Sequence, residues 1–286
     1  MKTRIVTALV LIAIVLGWLY WADFAIYTVG ALAMYAVAAK EMGPLLGFER
    51  PWPFLLVAAA AASACFYVAP PGLYIVEGVP RPMLYLTALS IPFWVVMLPV
   101  VRAYPQGTGW HKNKALNLVV GLMLLVPFLE ALLILRATNF NDNYYEGANL
   151  VLAVMALVWA ADSGAYFTGR AMGKNKLIPA VSPNKTREGL YGGLATAILV
   201  MMLGEWLGLY SHYADDQLAF MVAGLCAIGF SVLGDLVESM LKRMTGVKDS
   251  GRLFPGHGGM LDRIDSQLAA LPLFVSVHAL VSGQLV

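Results

Sequence analysis

Leu218-Ala-Phe-Met-Val-Ala-Gly-Leu-Cys-Ala-Ile-Gly-Phe-Ser-Val-Leu-Gly234 runs without a charge directly into Asp235-Leu-Val-Glu238-Ser239-Met-Leu-Lys242-Arg243. The first part is long enough for a helix to cross hydrocarbon, which takes about 17–25 residues. In the second part Asp235, Glu238, Ser239 and Lys242 stand at i, i+3, i+4 and i+7, so one face of a continuing helix carries all four. Ionisable groups at a membrane boundary are costly unless paired, solvated or bound to a cation. An ion-paired helix end that anchors at the interface accounts for this segment, taken alone, as well as a functional site does.

The rest of the chain calls for the same solvent. Of 286 residues, 60% are hydrophobic and only 13% charged, and the mean hydropathy is +0.73. A soluble domain carries roughly 25% charged residues. So much apolar surface needs a bilayer, where each segment must satisfy its own backbone hydrogen bonds. The net charge of +2 decides little. Cys65 and Cys226 lie in apolar runs with no CxxC or Cys/His cluster, so neither a disulfide framework nor a zinc site is expected.

Nine apolar segments predict an all-α, polytopic bundle of about nine transmembrane helices. They are Ile5–Trp21, Phe24–Ala39, Pro53–Ala69, Met83–Val101, Ala115–Leu135, Ala148–Ala161, Leu190–Leu209, Leu218–Gly234 and Gln267–Val281. The sixth is short and is expected to continue through Asp162 towards Phe167. The first exceeds a signal-peptide core and lacks a small-residue cleavage site before the second, so it reads as an uncleaved span. With the N-terminus inside and the spans alternating, every one of the 19 basic residues except Arg81 and Arg136 falls on the inner side. Asp23, Glu77, Asp142, Glu146, Asp215 and Asp216 fall outside, with Trp18, Tyr20, Trp21 and Trp206 as an aromatic belt. The reading is N-in and C-out. Residues 1–145 form N-terminal spans, and 146–286 form C-terminal spans with long cytoplasmic loops at 162–189 and 235–265.

Those two loops hold the polar chemistry. Lys248-Asp249-Ser250-Gly251-Arg252 leads to Pro255-Gly256-His257-Gly258-Gly259 and then Met260-Leu261-Asp262-Arg263-Ile264-Asp265. Glycines allow successive amides to face an anion, and a helix beginning just after them offers free N–H groups to phosphate. Asp262 and Asp265 offer oxygen ligands to a divalent cation, and Asp235 and Asp262 can clamp cations over a polyphosphate. A plain turn between spans does not need a His, two Asp and an Arg. In the other loop Asp162 ends a span, and Ser182-Pro-Asn184-Lys185-Thr186 precedes another. Hydroxyls, an amide and a cation ahead of a helix suit phosphate, and equally suit a basic loop held against anionic headgroups. Glu130 and Glu205 read as inward-facing hydrogen-bonded carboxyls without an obvious partner, and His111 and His212 as ordinary loop residues.

From Ser239 to Asp265 the chain reads S-M-L-K-R, four residues, K-D-S-G, then R-L-F-P-G-H-G-G-M-L-D-R-I-D. This stretch resembles the signature of the phosphatidate cytidylyltransferases (CDP-diacylglycerol synthases). The Asp162 and Ser182–Gly189 segments and the multi-span layout resemble the family too. The resemblance implies attack of a phosphatidate oxygen on the α-phosphorus of CTP, with loss of pyrophosphate, Mg²⁺ with a second cation such as K⁺, and a homodimer. It casts Asp235 and Asp262 as metal-binding carboxylates, with Asp265 and Asp162 as further ligand candidates. Lys242, Arg243, Lys248, Arg252, His257 and Arg263 become phosphate or nucleotide contacts, with Asp249, Gly258 and Gly259 beside them. Selection of cytosine comes from the resemblance alone. Expected partners are CTP, phosphatidic acid and membrane lipid at a bacterial inner membrane, with no nucleic acid. The competing enzymatic reading is a CTP-dependent polyprenol or phytol kinase, which would need Asp162 or His257 as a base for a hydroxyl. A transporter would show inverted repeats and charges near the midplane, and neither is evident.

Overall fold

The structure is a computed structural model that describes residues 2–207 and 216–285. His212 and Asp215 therefore lie outside the described residues. The chain is 76% helical. Its elements are α1 (Lys2–Trp21), α2 (Phe24–Leu45), α3 (Trp52–Val68), α4 (Pro71–Val76), α5 (Arg81–Ala88), α6 (Ser90–Arg102), α7 (Lys114–Ala137), α8 (Glu146–Met172), β1 (Lys176–Ile178), β2 (Ser182–Thr186), α9 (Arg187–Trp206), α10 (Gln217–Thr245), α11 (Leu261–Ile264) and α12 (Gln267–Val281).

Each expected apolar segment lies largely on helix over its described residues, and the end of Leu190–Leu209 lies outside them. Five stretches are long and apolar enough to cross a membrane, namely Arg81–Arg102, α7, α8, α9 and α10, while Leu9–Trp21, α3 and α12 are shorter apolar helices. The protein is a helical membrane protein. α7 is the central helix, with nearly every residue from Val120 to Ala137 buried. The aromatic and aliphatic side chains that face lipid instead remain exposed, among them Leu56, Val96, Leu199 and Leu203.

Local sequence sets the ends. Asp23 caps α2 by accepting from the Ile26 amide at 2.8 Å, and Asn113 caps α7. Gly246, at φ +72°, closes α10: its amide donates to Arg243 O, and the Val247 amide to Lys242 O. That pair of bonds is the glycine-terminated helix end that only a left-handed residue allows. α8 and α9 lie against each other through small residues. A Cβ on Gly192 would overlap Thr168, and one on Gly193 would overlap Ala161 O. Close backbone approach is how helices gain dispersion contact where lipid competes for every larger apolar side chain.

Three expectations are corrected. The fold is not wholly α: the loop before α9 folds as an antiparallel hairpin, pairing Lys176 with Thr186 and Ile178 with Ser182. Polar Ser182–Thr186 has no apolar period to hold it as helix, and Pro183 excludes it from a helix interior. Both long loops are shorter than expected, because α8 carries Asp162 and continues to Met172, and α10 carries Asp235 to Lys242 and continues to Thr245. The span over Met83–Val101 stands, within Arg81–Arg102, but it is built of two helices that meet at Leu89 rather than one.

The polar contacts divide the bundle into two ends. At one end the C-terminal parts of α2 and α10 meet β2 and the segment before α12. At the other end Tyr20 donates to Asn149 at 2.6 Å, and buried Arg136 donates to the carbonyls of Tyr144 and Ala22.

Candidate active site

The segment joining α10 to α12 turns first at Phe254-Pro-Gly-His257. His257 N donates to Phe254 O at 2.9 Å, with Pro255 and Gly256 (φ +77°) at the two central positions. Proline followed by a left-handed glycine is what a type II turn requires. The Phe254 amide then donates to Gly258 O at 2.9 Å, closing the loop. Gly258, at φ +81°, sits so close to Asp262 that a Cβ would overlap its Oδ2.

The amides of this loop are turned inward. Asp262 Oδ2 accepts from the amides of Ser250 (2.9 Å) and Gly259 (2.8 Å) and from the Ser250 hydroxyl (3.0 Å). Asp262 Oδ1 takes Lys242 Nζ at 2.7 Å. Two amides of this loop, those of Ser250 and Gly259, are thus turned onto the chain's own Asp262. Burial alone would raise the Asp262 carboxyl, but the Lys242 hydrogen bond, the Gly259 and Ser250 amides and the Lys242 charge together hold it below the usual carboxylate range.

The helical face Asp235-Glu238-Ser239-Lys242 exists as read. Ser239 Oγ donates to Asp235 Oδ1 at 3.1 Å, and Lys242 Nζ pairs with Glu238 Oε2 at 2.5 Å as well as with Asp262. Glu238 is only 2% exposed, and its Oε1 has no hydrogen-bond partner among the described residues. Asp235 Oδ2 takes Lys185 Nζ at 2.6 Å, which ties β2 to α10. Asp162 stands within electrostatic range of Lys185 and Asp235. Asp265 lies beside Gly234, where a Cβ would overlap its carbonyl. Burial pushes the Asp265 carboxyl well above the usual range, and the charges of Asp235 and Glu238 push the same way.

A cleft of about 660 Å³ opens over this cluster. Lys242, Lys248, Asp249, Arg252, His257, Gly258, Asp262, Arg263 and Asp265 line it together. Lys248, Asp249, Arg252 and Arg263 are exposed, while His257 is half-buried with Nδ1 unpartnered among the described residues. Asp235 and Gly259 lie behind the lining. Arg243 is turned away: Nε donates to Val181 O at 3.3 Å, bracing the hairpin. Thr186 is also spent, capping α9 by accepting from the Gly189 amide at 3.1 Å. Ser182 is half-buried on β2, and Asn184 points to solvent.

The donor set can be tested against a hard divalent cation. Among the described residues no group of three or more His, Cys, Asp or Glu side chains is gathered closely enough to hold a metal ion. Yet Asp162, Asp235, Glu238, Asp262 and Asp265 interact across one small region that holds only Lys185 and Lys242 as internal cations. Oxygen-only donors in excess of their counter-charge fit Mg²⁺ rather than a softer metal. Asp235 is paired with one ammonium, that of Lys185, and is the least enclosed of the ion-paired carboxylates, with 27% of its side chain exposed.

One residue of this region was not found in the sequence. Glu41, on α2, accepts at Oε2 from Ser250 Oγ (3.0 Å) and from the Leu261 amide (2.9 Å). A Lys-Glu pair at the end of an apolar run, Lys40-Glu41, looks like any interfacial anchor, and nothing local links it to a loop more than two hundred residues away. Glu130 also gains a partner invisible in sequence: Tyr74 O–H donates to its Oε2 at 2.7 Å. Glu205 accepts from Gln217.

Comparison with known proteins matches nearly the whole chain. Residues 2–281 match the Cytidylyltransferase family. A Haemophilus influenzae protein named phosphatidate cytidylyltransferase is 37% identical over 291 residues, covering 96% of this chain and 97% of the relative. A Pseudomonas aeruginosa protein of the same name is 39% identical over 277 residues, covering 97% and 96%. One from Staphylococcus epidermidis, again so named, is 47% identical over 207 residues, covering 65% and 78%. Matched in this way over nearly its whole length, the chain belongs to the cytidylyltransferase family.

Proposed function

We propose that this protein transfers the CMP group of CTP to phosphatidic acid, giving CDP-diacylglycerol and pyrophosphate. The observation that carries the reading is a cation-lined cleft, with Lys242, Lys248, Arg252 and Arg263 around it, at one end of a lipid-embedded helix bundle. A diacyl substrate keeps its chains in the bilayer, a nucleoside triphosphate stays in water, and the two meet only at such a boundary. The relatives' printed names support the same reaction.

A phosphatidate oxygen attacks the α-phosphorus of CTP. The bond from that phosphorus to the bridging oxygen breaks, and its electron pair leaves with pyrophosphate. Phosphatidate is already ionised near neutral pH, so alignment and charge neutralisation matter more than a strong base. Lys248, Arg252, Arg263 and His257 are the contacts for the triphosphate, with Asp249 and the Gly258–Gly259 backbone shaping its bed. Lys242, paired with Glu238 and Asp262, faces the same cleft as a further phosphate contact. Asp235, with Asp262, Asp265 and Asp162, would hold Mg²⁺ and a second cation such as K⁺. When bound, these cations neutralise charge on the α-phosphoryl group and on pyrophosphate. Lys185, released from Asp235, is a further phosphate contact, with Ser182, Asn184 and Thr186 fixing the hairpin that carries it. Arg243 supports that hairpin.

About nine spans, N-in and C-out, place the cleft on the cytoplasmic face of a bacterial inner membrane. The distribution of basic residues supports this orientation, since all but Arg81 and Arg136 fall at that end. Residues 1–145 serve as the membrane scaffold and 146–286 as the catalytic part, in a homodimer. Purified protein given phosphatidic acid, CTP and Mg²⁺ tests the reaction: CDP-diacylglycerol and pyrophosphate form in equal amounts, and chelation of Mg²⁺ stops both. A lipid product formed without pyrophosphate contradicts it.

A further inference from the structure

We propose that Glu41 is a positioning residue for the reaction: from α2 it fixes the segment Ser250–Leu261, and through Ser250 it sets the Asp262–Lys242 pair that faces the cleft. The inference rests on the cytidylyltransferase reading for its effect on turnover, but its structural content stands apart from that reading.

Both loop hydrogen bonds end on one oxygen, Glu41 Oε2, which takes the Ser250 hydroxyl at 3.0 Å and the Leu261 amide at 2.9 Å. Ser250 Oγ is at the same time 3.0 Å from Asp262 Oδ2 and 3.3 Å from the Asp262 amide. Its single proton is therefore shared between the carboxylate from α2 and the carboxylate of the cleft. Two glycines record how closely Glu41 enters. A Cβ on Gly251 would overlap Glu41 Oε1, and a Cβ on Gly259 would overlap Oε2 and Ser250 Oγ. Neither glycine has a positive φ, unlike Gly256 and Gly258. Backbone freedom does not explain them, and room for Glu41 does. Among the described residues Glu41 forms no ion pair, so its polar contacts are spent on this loop.

Because one acceptor oxygen does all the work, chemistry separates positioning from catalysis. Glu41→Gln keeps an oxygen where Oε2 stands and retains both bonds. Glu41→Ala removes them, leaves the Leu261 amide unpaired, and lets Asp262 drift from Lys242. Displacement of a reacting-site group by about 1 Å costs on the order of 100-fold in rate. Loss of a supporting hydrogen bond at a metal or active site costs about 10–100-fold.

The test uses full-length protein in detergent, with hydrogen–deuterium exchange over residues 248–264 measured beside turnover. Glu41→Ala is expected to speed exchange at Leu261 by about fivefold or more, the worth of one hydrogen bond. In the same variant kcat falls about 10–100-fold while KM for CTP and for phosphatidic acid moves less than about threefold. Glu41→Gln stays within about threefold of the unaltered protein in both readouts, since its acceptor survives. Gly251→Ala perturbs the loop on its own but adds no further loss in Glu41→Ala, because the atom it strikes is gone. Unaltered exchange in Glu41→Ala overturns the inference. So does a Glu41→Gln variant as impaired as Glu41→Ala, which would make the carboxylate itself the reacting or cation-holding group. If the unaltered protein shows no cytidylyl transfer, the functional reading fails while the exchange data still decide whether Glu41 holds the loop.

Discussion

Lys242 is the residue on which the buried charges depend, so its removal has the most predictable cost. Its ammonium is 2.5 Å from Glu238 and 2.7 Å from Asp262, and the two carboxylate side chains are 2% and 7% exposed. Each attraction is about 6 kcal/mol at an effective dielectric near 20, before desolvation is subtracted. Desolvation cancels most of that, so the intact triad adds little to stability. Breaking it is a different matter, because Lys242→Met strands the buried Glu238 carboxylate and leaves Asp262, at the cleft wall, only its bonds from Ser250 and Gly259. Removing one partner of a buried pair costs about 3–5 kcal/mol. For a chain of this size that is a fall in Tm of about 6–20 °C. The double variant Lys242→Met/Glu238→Gln takes away one stranded charge and should recover at least half of the loss, without recovering turnover. Thermal unfolding in detergent, followed by circular dichroism, reads both. A Lys242→Met protein that melts within about 2 °C of the unaltered one would refute the reasoning, because the carboxylates would then be solvated or protonated without their lysine.

Further outcomes follow from the same geometry. Asp235→Asn keeps its hydrogen bond from Ser239 but loses the charge facing Lys185, so turnover should drop below detection while Tm moves by less than about 3 °C, checked by assay and melt together. Gly192→Leu drives a side chain into Thr168 and should cost at least about 1–3 kcal/mol, seen as a lower Tm with a proportionate loss of folded yield. Tyr74→Phe leaves Glu130 Oε2 without its donor in the N-terminal half, a cost of about 1–3 kcal/mol, with kcat unchanged because the cleft lies at other elements.

The sequence made the apolar segments legible because lipid imposes a single demand on each of them. It made the face Asp235-Glu238-Ser239-Lys242 legible because helical spacing is local. The cluster Lys248–Asp265 was recognisable from residue type alone, and eight of its expected site residues line one cleft together with Lys242 of α10. What stayed hidden depends on distance along the chain. The Lys185–Asp235 and Arg243–Val181 contacts join a hairpin to a helix some fifty residues later, and no pattern within either announces the other. Glu41 was hidden for the same reason, and with it one further demand on the glycines of the loop. Gly251 and Gly259 leave room for the Glu41 carboxylate, which no local pattern announces. The hairpin β1–β2 was missed because its residues are too few and too polar to show a period.

The central claim is that the α-phosphoryl group, carrying the nucleoside, is what reaches the lipid. Purified protein is incubated with phosphatidic acid, Mg²⁺ and CTP labelled separately at the α and γ positions. The account predicts that α-label alone enters the lipid fraction and that γ-label leaves entirely as pyrophosphate. Entry of γ-label into lipid, with CDP as the soluble product, would contradict it.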